Sequence, residues 1–443
     1  MNQSMRIAVR NVGRQKKRTV LLAGAVGLGF FIITLSGSLL GGIAVSARRN
    51  FSAAFGGHLY FSGSVVSDRG SEIAVMADPG PLESVLAARS REIASIHRRS
   101  AAAGTLIFGP RELRQTLTGV DFVREPDFAG GLRIVSGSLD RRAEPGALVL
   151  PADAADRLGV RTGEALLFRA STVHGQRNVT ELVLIATYEG QSGFGVSAGY
   201  ASLGTVNSLL GLGSGEFQTL NVWLQDDRTI DATAERILAD LAGRAPLEPR
   251  EDEDPMRRMA DRLLGGSGPR SVGDGERWEG TRYGLATLND LMAQFTSILS
   301  IADALSFWVF LILLAITMVG ILNSYRMVVV ERTAEIGTLR ALGLQKTGVR
   351  NVFLWEALFV SLYGALAGLA AALAVLALAR TAVLPGGTVL SFFLDSGRIP
   401  FAVNPLETGR NLVLLCVASL AAASFPARAA SRLPPAAALR AAY

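Results

Sequence analysis

The sequence predicts an α-helical membrane protein with four transmembrane helices and a large α+β extracytoplasmic domain inserted between helices 1 and 2. Apolar residues predict the helices, because they are concentrated in four runs of a 443-residue chain that is 49% hydrophobic, with a mean hydropathy of +0.33. Alternating strand-like and helix-like segments across residues 48–284 predict the domain.

The N-terminal segment, residues 1–18, is basic, and we interpret it as a cytoplasmic amphipathic helix. Residues 19–47 follow as helix 1 and the start of a stalk. This run has no charged residue and exceeds the roughly 20 residues that cross ~30 Å of hydrocarbon. It is also about twice as long as a signal-peptide core, so we expect an anchor and not a cleaved leader.

The predicted domain at 48–284 contains several recognisable elements. Strand composition occurs at 146–150, 164–171, 181–188 and 220–225, and helical periodicity at 151–160 and 229–243. The stretch 243–280 is rich in charge, Gly and Pro and includes the acidic run 251–254. Such composition is typical of a solvated, mobile insertion.

A long helix is predicted after the domain. From Leu285 to Val330 the pattern is helical and contains no proline, so we interpret 285–330 as a stalk helix continuous with helix 2. At ~1.5 Å per residue such a helix is about 65 to 70 Å long, more than twice the thickness of the hydrocarbon. We therefore expect it to project outward from the membrane.

Charge predicts the orientation of the remaining segments. These are a cytoplasmic loop at 331–351, helix 3 at 352–380, a short extracytoplasmic loop at 381–408, helix 4 at 409–427 and a cytoplasmic tail at 428–443. Lys and Arg cluster near both termini and in the 331–351 loop, as cytoplasmic segments do. Residues 46–303 instead carry 27 Arg, no Lys and 33 Asp or Glu. The basic excess thus faces anionic head groups and does not predict nucleic-acid binding.

Catalytic and metal-binding motifs are weak in this chain. Residues 195–199, GVSAG, fit a nucleophile elbow around Ser197, but the three histidines, His58, His97 and His174, all precede it. We interpret the segment as a flexible Gly-rich loop and predict no catalytic residue. The single cysteine, Cys416, lies in an apolar run, and we predict no metal site.

A nucleotide-binding loop is also not predicted. The motif requires Gly immediately before its Lys, so that backbone amides wrap the phosphates that the ammonium reaches. The three lysines are Lys16, Lys17 and Lys346, and none of them follows a glycine. Any ATP chemistry is therefore expected in another subunit.

Small residues recur at four-residue spacing inside the predicted helices. Gly37 and Gly41 form one such pair, and Gly364 and Gly368 another. This spacing lets helix backbones approach closely. The pattern does not distinguish packing within the chain from dimerisation. Glu356, near the start of helix 3, is expected at the membrane interface and not in lipid.

The loop between helices 2 and 3 contains the sequence ERTAEIGTLRALG at 331–343. Ile336, Leu339 and Leu342 recur every three residues and are predicted to share one face of a short helix. Such a face fits docking into a protein groove equally well as an amphipathic helix resting on the bilayer.

Four segments resemble the FtsX-like permease family, the membrane subunits of ABC transporters that include macrolide exporters and lipoprotein-release complexes. ERTAEIGTLRALG is similar to the family's coupling-helix signature, RIAVRNVGRQKKRT at 6–19 to the helix before its first span, and FPARAASRLPPAAALR at 425–440 to its terminal motif. In that motif Pro426, Ala427, Pro435, Leu439 and Arg440 stand at matching positions. Residues 131–168 resemble the extracytoplasmic core of the macrolide-exporter type.

The resemblance implies a site and partners. The residues implied in ATPase coupling are Glu335, Ile336, Gly337, Leu339, Arg340, Ala341, Leu342 and Gly343. It further implies a cytoplasmic dimer of ABC ATPase subunits that binds ATP and Mg²⁺, a second permease chain of the same or a similar kind, and the bacterial inner membrane. This chain itself is then expected to need no cofactor.

Two functions are open at this point. The first is export or extraction of a hydrophobic or amphiphilic substrate, such as a lipoprotein, peptide or drug, driven mechanically by the ATPase. The second is a signalling scaffold of the cell-division type, which would activate an extracytoplasmic enzyme partner. The large outer domain favours the first.

Overall fold

The computed structural model describes residues 3–14, 16–68, 70–190, 198–213, 215–248, 270–271, 278–382, 393–395, 397–432 and 434. The chain divides into two compact units. The helical unit comprises Met1–Ser46, Thr296–Leu384 and Leu394–Tyr443, and the α+β unit comprises Ala47–Phe295 and Pro385–Phe393.

The helices, in chain order, are α1 (Gln3–Arg14), α2 (Lys16–Phe55), α3 (Gly80–Ala88), α4 (Pro126–Gly131), α5 (Ala152–Leu158), α6 (Leu203–Leu210), α7 (Ile230–Leu241), α8 (Leu288–Glu331), α9 (Thr333–Ala341), α10 (Lys346–Ala379) and α11 (Pro405–Arg432). The strands are β1 (Leu59–Val66), β2 (Ser71–Ile73), β3 (Ile93–Phe108), β4 (Arg111–Val120), β5 (Ile134–Gly137), β6 (Ala147–Pro151), β7 (Ala165–Ser171), β8 (Arg177–Tyr188), β9 (Gly199–Ser202), β10 (Thr219–Leu224), β11 (Arg270–Ser271) and β12 (Arg282–Thr287).

Four of the described helices, α2, α8, α10 and α11, are long and apolar enough to cross a membrane. They are the four helices that the apolar runs predict, although α11 extends beyond the predicted 409–427 at both ends. Their inward side chains, among them Phe30, Phe310 and Phe353, form one buried apolar cluster.

Glycines bring α2 and α10 into backbone contact. A Cβ atom added to Gly364 would lie 2.5 Å from the carbonyl oxygen of Ala23, and one added to Gly368 would lie 2.3 Å from that of Gly27. These two glycines therefore pack within the chain, against the backbone of α2. Gly37 meets no atom within 4 Å, whereas a Cβ on Gly41 would lie 3.3 Å from the carbonyl oxygen of Ala402.

The α+β unit is organised around a mixed sheet whose order, within the described residues, is β11-β2-β1-β10-β3-β4-β9-β6-β8-β5. Strand β12 pairs with β1, and β7 pairs with β3 and β8. The 16-residue strand β3 joins two apolar cores, because its first half pairs with β10 and its second half with β4 and β7. Strands β6, β7, β8 and β10 and helices α5 and α7 lie where the sequence predicts them.

The stalk helix begins later than predicted. Residues 285–287 belong to β12, which pairs with β1, and α8 starts at Leu288. The boundary is set by a reciprocal cap, in which the Asp290 amide donates to Thr287 Oγ1 (3.1 Å) and the Thr287 amide donates to Asp290 Oδ2 (2.9 Å). Residues 346–351, predicted in the loop, form the first turns of α10.

Parts of two predicted features of the α+β unit lie outside the described residues. They are Gly195–Ser197 of the GVSAG segment and residues 249–269 and 272–277 of the expected insertion.

Candidate functional site

The short helix α9 carries most of the residues implied in ATPase coupling. Gly343 ends it, with a φ of +97° that favours glycine. Its amide donates to the Arg340 carbonyl (3.1 Å), and the Leu344 amide donates to the Leu339 carbonyl (3.0 Å). These two bonds form a Schellman cap, which turns the chain sharply into α10.

The apolar residues of α9 divide between two sides. Ile336 and Gly337 are buried, and Ile336 belongs to the apolar cluster of the helical unit. Leu339 is 37% exposed and Leu342 is 87% exposed. The single shared face predicted for Ile336, Leu339 and Leu342 is therefore wrong, because each step of three residues turns about 60° around a helix.

The outward side of α9 is mixed in character. Besides the two leucines it includes Glu335, whose side chain is 67% exposed. Its Oε2 lies 3.9 Å from Arg332 Nε. Ala341 and Gly343 are also exposed, and Arg340 is half-buried. Ile336 thus packs α9 against the other helices of the helical unit. The outward side of α9, which carries the two leucines and Glu335, remains exposed.

Glu356 is buried, which the sequence did not predict. It lies about three turns inside α10 and is only 6% exposed, so its carboxylate is not open to solvent. Asn11 Nδ2 of α1 donates to its Oε1 (2.6 Å), and Arg332 Nη1 approaches the same atom at 3.4 Å. A buried carboxylate thereby links α1, α10 and the residue that precedes α9.

A second contact joins the neighbouring helices. Arg18 Nε donates to Ser324 Oγ (2.6 Å), and the guanidinium lies 5.0 Å from the ring centre of Tyr325. We call the set Asn11, Arg18, Ser324, Tyr325, Arg332 and Glu356 the polar junction. The signal in the sequence was a carboxylate within an apolar helix, which requires partners, but helical spacing alone does not identify those partners.

The C-terminal motif is described in part. Pro426 and Ala427 are buried on α11, as is Ala430. Pro435, Leu439 and Arg440 lie outside the described residues.

The α+β unit contains a buried ionic cluster that the sequence did not reveal. Arg99 on β3 forms a bidentate pair with Glu125, and His97 Nδ1 lies 3.0 Å from Glu125 Oε2. Burial raises the pKa of the Glu125 carboxyl, but the hydrogen bonds from Arg99 and the nearby His97 ring outweigh it and hold that pKa below its usual value. The guanidinium also lies 5.5 Å from the ring centre of Phe128. These contacts fix the loop before α4 against β3.

No cluster of three or more His, Cys, Asp or Glu side chains suited to a metal occurs in the part of the chain that the structure describes.

Comparison with known proteins found a matching family and several relatives that are similar to parts of this chain. Residues 307–435 match the family described as FtsX-like permease C-terminal. Over 134 residues the chain is 33% identical to the lipoprotein-releasing system transmembrane protein LolC of Haemophilus influenzae, a match covering 29% of this chain and 31% of that protein. Over 165 residues it is 31% identical to the macrolide export ATP-binding/permease protein MacB 1/2 of Paracoccus denitrificans, covering 37% and 23% respectively.

Among solved structures, the periplasmic region of MacB from Actinobacillus actinomycetemcomitans is similar at 11% identity, covering 54% of this chain and 92% of that one with a TM-score of 0.29. The chain spans about a third or less of the length of the curated relatives named above.

The matched region contains α9, α10 and α11 together with four residues of the polar junction. In this region the chain matches the FtsX-like permease family, and the relatives to which it is similar include permeases named for lipoprotein release and macrolide export.

Proposed function

We propose that this chain is the permease subunit of an ABC transporter, in which a separate ATPase drives export or extraction of an amphiphilic substrate at the outer face of the bacterial inner membrane. The observation that supports this proposal is that one side of α9 packs against the helical unit and the other side is exposed. Ile336 anchors the helix on the bundle, and Leu339, Leu342 and Glu335 remain on its outward side. An uncovered surface of this kind fits a groove on an ATPase.

The partner ATPase, as a dimer, would bind ATP and Mg²⁺ in the cytoplasm, and a second permease chain would complete the transporter. Contacts within the helical unit support a shared side for the N-terminal helix and the α9 loop, because Asn11 meets Glu356 and Arg18 meets Ser324. The basic charge of both segments favours the cytoplasmic side.

Long helices support mechanical transmission. At ~1.5 Å per residue, the 40 residues of α2 and the 44 of α8 extend about 60 and 66 Å, roughly twice the hydrocarbon thickness. A movement of α9 would be transmitted along α2 and α8 to the outer side of the membrane.

The proposal is tested by a matched pair of substitutions. Leu342→Asp places a charge on the outward surface of α9, where the side chain is 87% exposed, and Leu406→Asp makes the same change at the start of α11, where it is 83% exposed. We expect copurification of the ATPase with tagged chain to fall about tenfold or more for Leu342→Asp and to stay unchanged for Leu406→Asp. Equal yields from both variants would exclude α9 as the docking element.

Leu342 is a better choice than Gly343 for this purpose. The positive φ of Gly343 means that any side chain there strains the cap, so loss of binding would not separate docking from misfolding of the turn.

A further inference from the structure

A cavity of about 380 Å³ lies within the helical unit, between α2, α8 and α11. Its lining along α2, residues 33–38, begins 15 residues after Arg18 of the polar junction. At ~1.5 Å per residue this separation is about 23 to 30 Å, close to the hydrocarbon thickness. The cavity therefore lies one membrane thickness from the polar junction, which is the depth of the opposite interface.

One wall of the cavity contains an unsatisfied polar group. Asn411 lines it, is only 7% exposed, and has its Oδ1 buried without a hydrogen-bond partner in the described structure. Buried amide groups in proteins are nearly always hydrogen-bonded, and an unpaired one is costly where no water competes. The described residues thus leave the Asn411 amide oxygen without a hydrogen-bond donor.

Charged groups at the rim point to the chemistry of that donor. Asp303 and Glu407 both line the cavity, and neither has an ion-pair or hydrogen-bond partner among the residues that the structure describes. Arg410 also lines it, with its guanidinium 5.7 Å from the ring centre of Phe307. Carboxylates accept hydrogen bonds from an ammonium group, and the apolar wall formed by Ile33 and Phe307 suits an alkyl chain.

We propose that this cavity binds an amphiphile that has a protonated amine as its head group and an alkyl chain as its tail. The amine would donate to Asp303 and Glu407, and to the amide oxygen of Asn411 once that side chain turns its shielded Oδ1 toward the cavity, while Arg410 would accommodate an anionic group when the amphiphile is zwitterionic. The inference names the substrate class of the proposed transporter and so rests on the proposed function, but the site itself requires no ATPase.

Binding to the purified full-length chain, without ATPase, tests the site. The chain is placed in phosphatidylcholine nanodiscs and titrated with dodecylamine, and with dodecanol as a probe of the same chain length that carries no charge. We expect the amine to bind at least about tenfold more tightly than the alcohol. Equal binding of the two probes would overturn the proposal, whatever the outcome for α9 and the ATPase.

Variants locate the binding. Asp303→Asn combined with Glu407→Gln should weaken amine binding about tenfold and leave dodecanol unaffected, whereas Glu331→Gln, an exposed change at the far end of α8, should alter neither. Asn411→Leu removes the unpaired amide, so it should bind the amine more weakly while melting no lower than wild type. Unchanged amine affinity in the double variant and in Asn411→Leu would contradict the assignment.

The lipid composition of the nanodiscs distinguishes two occupants that both carry an ammonium group, a membrane aminophospholipid and a free single-chain amine. If phosphatidylethanolamine in the nanodiscs competes with dodecylamine, the occupant is a membrane aminophospholipid. If it does not compete, the site selects a free single-chain amine. Both results support the ammonium site, and they differ only in the identity of its occupant.

Discussion

At the scale of single residues, the buried pair of Arg99 and Glu125 shows how ionic groups order the α+β unit. Removing one member of a buried ion pair leaves an uncompensated charge and costs ~3–5 kcal/mol. Exposed pairs are worth far less, about 0–1 kcal/mol. Glu112 and Arg169, 3.5 Å apart on the surface of the same unit, are such a pair. The two pairs therefore provide a matched comparison.

The depressed pKa of Glu125 predicts acid sensitivity of this unit. A carboxyl whose pKa is lower in the folded state than in the unfolded state contributes stability above the unfolded value, and this contribution is lost as pH falls through the folded value. We expect Glu125→Gln to lower the melting temperature at pH 7 and to flatten its decline as the pH falls below about 4. Thermal melting of the purified chain followed by tryptophan fluorescence measures both effects.

Glu112→Gln is the control for that measurement, and its melting curve should follow wild type across the same pH range. A Glu125→Gln protein that melts with an unchanged pH profile would show that the Arg99 pair does not set acid stability.

Partners of buried charges are the part of the site that sequence analysis could not supply. Glu356 was visible as a carboxylate near an apolar run, yet Asn11, 345 positions earlier in the chain, is its closest hydrogen-bond partner. Arg99 was one of many arginines in the outer segment, and only the fold brings Glu125 to it. Such contacts depend on tertiary packing, which local periodicity does not encode.

At the scale of elements, prediction succeeded where composition and burial agree. Strand β6, ALVLP, is buried at every residue and was evident from its apolar run. The β3–β4 hairpin was not predicted, although it is the longest in the described sheet, because β3 contains Arg98, Arg99 and three consecutive alanines, which are weak strand formers. Its pairing with β10 and β7 stabilises it instead.

The contact of α2 with α10 gives a prediction at this scale. A Cβ on Gly27 would lie 2.8 Å from the carbonyl oxygen of Gly364, whereas one on Gly24, a single turn earlier, meets no atom within 4 Å. Both Gly→Ala changes gain about 1 kcal/mol in helix propensity. We expect Gly27→Ala nevertheless to lower the melting temperature in detergent, since overpacking costs ~1–3 kcal/mol, and Gly24→Ala to leave it equal or higher.

Identical melting of the Gly27→Ala and Gly24→Ala proteins would mean that the two backbones are not in contact. Gly27 itself was absent from the predicted packing set, which named only pairs of glycines at four-residue spacing, whereas residues 23 and 31 are Ala and Phe.

At the scale of the whole molecule, the predicted coupling surface and the polar junction form one assembly in the helical unit. Ile336 fixes α9 to the apolar cluster, and Arg332, immediately before α9, reaches Glu356. Asn11 adds the N-terminal helix to the same carboxylate. A force applied to α9 would therefore be shared by α1, α8 and α10 and not absorbed by a loose loop.

This arrangement predicts that Glu356 transmits motion without contributing to ATPase binding. In a Cys416→Ala background, the substitution Val179→Cys at an exposed position of β8 reports the state of the α+β unit through the labelling rate of the new thiol. We expect that rate to respond to ATP in the complex with wild-type Glu356. With Glu356→Ala the response should disappear, because the carboxylate that joins Asn11 to Arg332 is gone, while the ATPase still copurifies.

Two further variants separate transmission from general damage. Glu356→Gln keeps an acceptor for Asn11 but loses the charge that attracts Arg332, so it should retain part of the response. Glu331→Gln removes an exposed carboxylate at the same end of α8 and should retain all of it. A Glu356→Ala complex in which labelling of the β8 thiol still follows ATP as in wild type would show that the junction is a structural anchor only, and that motion from α9 reaches the α+β unit by another set of contacts.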